Sequence, residues 1–213
     1  MNTIKFNDKD SYTDFNLILR PKTIPFPTPK TNYVSIEGRD GDLDLSTSLT
    51  GDVRYENIDY SLEFYLDKER TDWITALNNI STYLHGKKVK LKLSEDPNWE
   101  WEARITLNDF ESDKNIGLIV LDCNLEPYRL KITDTVVTEA VAANKVITLS
   151  NSRKWVMPTI TTTAEVKFTY GTKQITVNGT LQTPDFILKE GNTSITLNSG
   201  SGNIVFTYRE GKF

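Results

Sequence analysis

At 213 residues with 38% hydrophobic side chains, the chain is long enough to bury a proper core as one large or two small domains. Lys5, Asp8, Lys9, Asp10 and Asp14 interrupt the start where a secretory signal needs an apolar run, and no stretch approaches the roughly 20 apolar residues of a membrane span, so a soluble protein is expected. A single cysteine, Cys123, excludes an internal disulfide framework and fits a reducing cytoplasm, while a net charge of −4 without a basic patch argues against a sequence-reading nucleic-acid binder.

In chain order, the first 20 residues read as a strand ending in Asp14-Phe-Asn-Leu-Ile-Leu-Arg20. Pro21, Pro25, Pro27 and Pro29 then favour an extended, polyproline-like arm over residues 21–33 and forbid a helix there. Next, Asp40, Asp42 and Asp44 alternate in a spacing shared with calcium loops. Register rejects that reading: with Asp40 in the first position, the glycine position holds Leu45 and the final glutamate position holds Gly51. The stretch is read as a turn, Gly38-Arg39-Asp40-Gly41, leading into an extended segment.

Tyr60, Leu62, Phe64 and Leu66 alternate with Ser61, Glu63, Tyr65 and Asp67, which fits a half-buried strand. A helix is expected at about 68–84. Its apolar stripe is Trp73, Leu77, Ile80 and Leu84, with Asp67, Glu69 and Asp72 at its positive end and Gly86 as the C′ residue. Lys88, Lys90 and Lys92 alternate with Val89, Leu91 and Leu93, read as a wet strand face whose lysines protect an edge, in preference to a phosphate-tracking stripe. Trp99 and Trp101 align with Ala103, Ile105 and Leu107 and are expected to be buried, not a sugar platform. A longer strand runs from Ile116 to Leu125.

After Pro127 the texture changes, and residues 131–213 hold 16 threonines with no helical period. Domains of 1–130 and 131–213 are expected, the second a small β-sandwich with strands in Lys145–Ser150, Pro158–Tyr170, Lys173–Gly179, Asp185–Lys189, Ser194–Asn198 and Asn203–Glu210. Charge divides the same way: residues 1–130 carry 23 acids against 16 bases, and residues 131–213 carry 6 against 9.

No enzyme is expected. The only histidine, His85, is read as a helix-end residue favoured by the dipole, and with one Cys there is no zinc site, Cys-His pair, P-loop or dinucleotide fingerprint. No cofactor or metal is assigned.

The order of these features resembles the distal tail proteins (Dit) of long-tailed phages and related prophage tails. The similarity lies in Ser11-Tyr-Thr-Asp-Phe-Asn-Leu-Ile-Leu19, the Pro-rich arm, the GRDG turn followed by Tyr55-Glu-Asn-Ile58, the stretch Ser150–Ala164 and the closing Leu188–Phe213. The chain departs from longer relatives in having only about 80 residues after the boundary. The resemblance implies a mainly β protein with one α-helix: an N-terminal ring-forming, sandwich-like domain with a packed helix and extended arm, and a C-terminal galectin-like sandwich. It implies a homo-hexameric hub between the tail tube protein and the tail-associated tip protein, with DNA only in transit through the ring. Receptor-binding proteins are further candidate partners, and the location is the distal end of the virion tail, after folding in the host cytoplasm.

On that reading Ile24, Phe26, Tyr33, Arg39 and Asp40 are the candidate subunit-interface residues, with Arg39 and Asp40 as a positioning ion pair within the turn or between subunits. Asp42, Asp44, Asp52 and Glu56 are the candidate lumen-facing acids, because acidic walls repel a passing polyanion. The alternative function is a lectin-like module binding host cell-wall carbohydrate through Trp155, Tyr170 and Tyr208.

Overall fold

The structure, a computed structural model, describes residues 3–21, 23–113 and 116–213; residues 1 and 2 of the expected first domain and Lys22 of the expected arm lie outside them. The chain divides into two compact units, Met1–Pro127 and Tyr128–Phe213. Both are mainly β.

The first unit contains β1 (Ile4–Phe6), β2 (Lys9–Asp10), β3 (Leu17–Leu19), β4 (Pro29–Lys30), β5 (Tyr33–Val34), β6 (Leu43–Asp44), β7 (Arg54–Tyr55), β8 (Ile58–Leu66), α1 (Trp73–Leu84), β9 (Lys88–Leu93), β10 (Trp99–Asp113) and β11 (Ile116–Leu125). An antiparallel sheet runs in the order β2-β1-β9-β10-β11-β8-β3. Alternation decides which face it buries. Ile58, Tyr60, Leu62, Phe64 and Leu66 point inward from β8, and Ile119, Leu121, Cys123 and Leu125 do so from β11. Each such side chain removed from water contributes about 1.5–3 kcal/mol. Burial also pushes the Cys123 thiol up to about 12, so it is an inert core residue.

The helix lays Trp73, Ile80 and Leu84 into this core, with Leu77 half-buried beside them. Trp73 meets Phe110 edge-on at 5.5 Å, and its indole N–H donates to Lys68 O at 2.9 Å. The α-helix starts later than the expected residue 68: Arg70–Asp72 form a 3₁₀ turn, and Asp72 sits at the N-cap of α1 without a side-chain hydrogen bond. At the other end Gly86, at φ +74°, turns the chain as a C′ glycine, and its N–H donates to Ile105 O at 2.8 Å. His85 has a use that the dipole argument missed. Its Nδ1 accepts the Leu107 N–H at 3.1 Å, beside a register shift between Leu107 and Asp109, so it ties the helix end to a bulged strand.

Two expectations for this unit are corrected. The first 20 residues form three short strands instead of one, because Asn7 and Asn16 adopt left-handed backbone, at φ 58° and 55°, and turn the chain. The strand of Lys88, Lys90 and Lys92 is not an edge, since β9 pairs with β1 on one side and β10 on the other. Its lysines answer acids across the sheet: Lys88 meets Glu102 at 2.6 Å and Glu126 at 3.0 Å, and Lys90 meets Glu100 at 2.9 Å.

The second unit contains β12 (Arg129–Lys131), β13 (Thr135–Ala140), β14 (Val146–Asn151), β15 (Thr159–Thr162), β16 (Val166–Tyr170), β17 (Lys173–Val177), β18 (Thr180–Leu181), β19 (Gly191–Ser199), β20 (Asn203–Tyr208) and β21 (Gly211–Lys212). Two four-stranded sheets, β13-β20-β15-β18 and β14-β19-β16-β17, share one core, with Phe168, Phe186 and Phe206 in mutual ring contact at 5.4–6.1 Å. The run Pro158–Tyr170, expected as one strand, breaks after Thr162 because β15 and β16 belong to opposite sheets. Asp185–Lys189 is not a strand either. Pro184 has no N–H to give, and the segment makes only a Val156–Leu188 bridge while Phe186 and Leu188 drop into the core.

Glu210 braces this unit, accepting hydrogen bonds from Lys131 Nζ at 2.8 Å, Thr135 Oγ1 at 2.6 Å and Ser152 Oγ at 2.7 Å. Burial raises its carboxyl pKa, but these bonds outweigh burial and hold it below the ordinary value. A lowered folded pKa contributes stability that is present above the unfolded carboxylate range and lost as pH falls through the folded value. Glu210→Gln is therefore expected to cost about 1–3 kcal/mol at neutral pH in urea unfolding, and to flatten the acid limb of the stability profile below about pH 4.

Candidate functional site

The site grows from the edge of the first unit's sheet. β3 pairs with β8 from Leu17 opposite Leu66 to Leu19 opposite Phe64, and Arg20 adds an N–H to Glu63 O at 2.9 Å and an ion pair with the Glu63 carboxylate at 2.5 Å. Pro21 has no N–H, so the pairing stops and the chain leaves the sheet. It returns only at Ile58.

The segment between folds back on itself. Pro29 and Lys30 pair with Tyr55 and Arg54, and Tyr33 and Val34 pair with Asp44 and Leu43. Glu56 N–H donates to Thr28 O and Leu45 N–H to Asn32 O, both at 2.8 Å, and Ser46 Oγ accepts from Asn32 N–H at 2.9 Å. Pro29 sits at the first position of its strand, where a missing donor is tolerated. The arm expected at 21–33 is thus one limb of a two-stranded ribbon reaching to residue 56. A turn at Ile36–Arg39, closed by Arg39 N–H to Ile36 O at 3.1 Å, ends the ribbon, and Gly38 and Gly41 take φ +81° and +71° there. A second turn, Leu45–Gly51, leaves one limb sideways, with Gly51 N–H donating to Thr47 O at 2.8 Å.

A two-stranded ribbon is marginal on its own in water. This one nevertheless offers apolar groups to solvent: Phe26 at its root is 81% exposed, Tyr33 is 57% exposed and Leu49 is 98% exposed, with Val34 and Ile36 also exposed. An exposed apolar series on a narrow ribbon suits contact with another protein.

Of the predicted interface residues, Phe26, Tyr33, Arg39 and Asp40 are exposed on the ribbon or its root, whereas Ile24 packs half-buried against its own core and anchors the root. The turn holds no Arg39–Asp40 ion pair among the described residues. The four acids also differ from one another. Asp42 is exposed; Asp44 accepts Ser46 N–H at 2.8 Å, and the Ser46 hydroxyl and N–H hold its carboxyl below the ordinary value. Asp52 is half-buried and accepts the Val53 N–H at 2.9 Å, and Glu56 lies 3.8 Å from Lys30. Sequence reasoning passed over Val34, Ile36 and Leu49 as ribbon contacts; Leu49, alone among Ser48, Thr50 and Gly51, was the one available signal.

The aromatic residues of the lectin alternative do not form a stacking platform. Tyr208 is buried with its hydroxyl donating to Ser150 O at 2.5 Å, and Tyr170 donates to Ile187 O at 3.0 Å. Lys189 Nζ stands 4.5 Å over the Trp155 ring. No three His, Cys, Asp or Glu side chains converge as a metal-holding group among the described residues.

No family model matches the chain, and no curated protein matches it. Among solved structures, the crystal structure of the SPP1 Dit (gp 19.1) protein matches with a TM-score of 0.70 over 100% of both chains, at 14% sequence identity. The chain has the Dit fold. That neighbour is described as a paradigm of the hub adsorption apparatus in phages infecting Gram-positive bacteria. At 14% identity the likeness is one of fold. It extends over both units of the Dit-like chain, from the ribbon-bearing sheet to the threonine-rich sandwich.

Proposed function

We propose that the chain is a structural phage-tail protein, a hub that joins the tail tube to the tip or baseplate. The observation that carries this reading is the full-length Dit fold combined with an exposed apolar ribbon that has no counterpart within its own unit. Six copies close into a ring through their first units, the ribbon of each reaching a neighbour through Phe26, Tyr33, Arg39 and Asp40. The tail tube protein binds one side of the ring and the tail-associated tip protein the other. The second unit is a galectin-like domain to which receptor-binding proteins can attach. The assembled ring sits at the distal end of the virion tail, having folded in the host cytoplasm.

In this reading DNA crosses the ring without binding it. Lys88 and Lys90 are neutralised by Glu102, Glu126 and Glu100, so they suit a protein face better than a DNA-holding one. Asp42 is the best placed lumen-facing acid, being exposed and free of the local bonds that Asp44 and Asp52 make, with Glu56 partly answered by Lys30. The mass of the native particle tests the proposal, since a ring hub requires a closed hexamer.

A further inference from the structure

On the solvent face of the first unit's sheet, Lys5 of β1 stands directly opposite Lys92 of β9. Side chains so placed have Cβ atoms about 5 Å apart, and like charges there are destabilising. The neighbouring lysines of β9 are answered by Glu100, Glu102 and Glu126, but Lys5 and Lys92 form no salt bridge among the described residues. The acid opposite Lys5 in register is Asp10, which attracts Lys5 while its Oδ1 accepts the N–H groups of Tyr12, at 2.9 Å, and Thr13, at 3.2 Å. One acid beside two cations leaves the cluster with a net positive charge.

The end turn of the ribbon carries the complementary set. Glu37, Arg39 and Asp40 are all exposed, none forms a salt bridge among the described residues, and together they carry one net negative charge. Gly38 and Gly41, both in left-handed backbone, fix the turn that presents them. We propose that the Lys5–Lys92 pair is the seat for the Glu37–Asp40 turn of a second copy of this chain.

The contact is heterologous: seat and turn lie at different places on one copy, so each copy offers a turn to one neighbour and a seat to the other, as a closing ring requires. It rests on the hub reading, whose self-assembly it specifies. Each charge pair is worth little when exposed, but repetition around a ring and exclusion of water at the contact strengthen it, and reversal replaces attraction by repulsion.

The experiment uses the full chain in two charge-reversed forms, Lys5→Glu/Lys92→Glu and Glu37→Lys/Asp40→Lys, followed by sedimentation and native mass spectrometry, with circular dichroism to verify folding. Each form alone is expected to self-associate about tenfold or more weakly than the unmodified chain. Mixed in equal amounts, the two forms regain assembly, because reversed turns meet reversed seats and normal turns meet normal seats in alternation around an even-numbered ring. Raising ionic strength weakens the unmodified assembly. An oligomer that both reversals leave intact overturns this contact and leaves the hub reading standing, as does loss of assembly without rescue on mixing. An unmodified chain that remains a monomer overturns the hub reading, and the contact with it.

Discussion

Deleting residues 23–30 is expected to abolish ring formation while leaving the first unit folded. The deletion removes Phe26, exposed at the ribbon's root, and the limb of the β4–β7 ladder that holds the ribbon's base. A buried aromatic anchor at an interface commonly carries 2 kcal/mol or more, so its loss alone weakens each contact by about thirtyfold, and a ring multiplies that loss over its contacts. The fold is expected to survive because the sheet from β2 to β3 and the helix bury their side chains elsewhere. Ile24 and the buried Pro27 are the local cost, seen as a small drop in melting temperature. Light scattering and circular dichroism on the same sample separate the two effects. An unchanged hexamer after this deletion removes the arm from the interface.

Phe168→Ala is expected to destabilise the second unit by about 3–5 kcal/mol, a large share of the roughly 5–15 kcal/mol that holds a small domain folded. Phe168 is fully buried and meets Phe186 at 5.4 Å and Phe206 at 6.1 Å, so truncation opens a cavity bounded by two rigid rings that cannot collapse into it. Trp155 is the only tryptophan in residues 128–213, and its fluorescence in denaturant reads this unit if the other three are replaced by Phe. A loss below about 1 kcal/mol contradicts the packing described.

The sequence revealed most where one face of an element is dry and the other wet. β8 and β11 show this, as does the stripe of α1, because a period of two or of 3.6 leaves a mark that a single chain carries by itself. β13 shows why other strands stayed hidden: its inward row is Thr135, Val137 and Glu139, the last paired with Lys145 at 2.8 Å, while Val136 faces out at 59% exposure. Polar residues inside and an apolar one outside invert the usual signal. The ribbon was legible only in part. Its prolines and the GRDG glycines announced extended chain and a tight turn, but its ladders are two residues long and join partners many positions apart, which leaves no periodicity to read. Arg39 and Asp40, adjacent and opposite in charge, suggested a pair within the turn. The turn points both to solvent instead.

The most direct test of the ring hub is the native mass of the purified chain. The account predicts a closed assembly of six copies of the 24.3 kDa chain, dissociating as salt is raised. A single monomeric species at every concentration, or a closed assembly of another order, contradicts it.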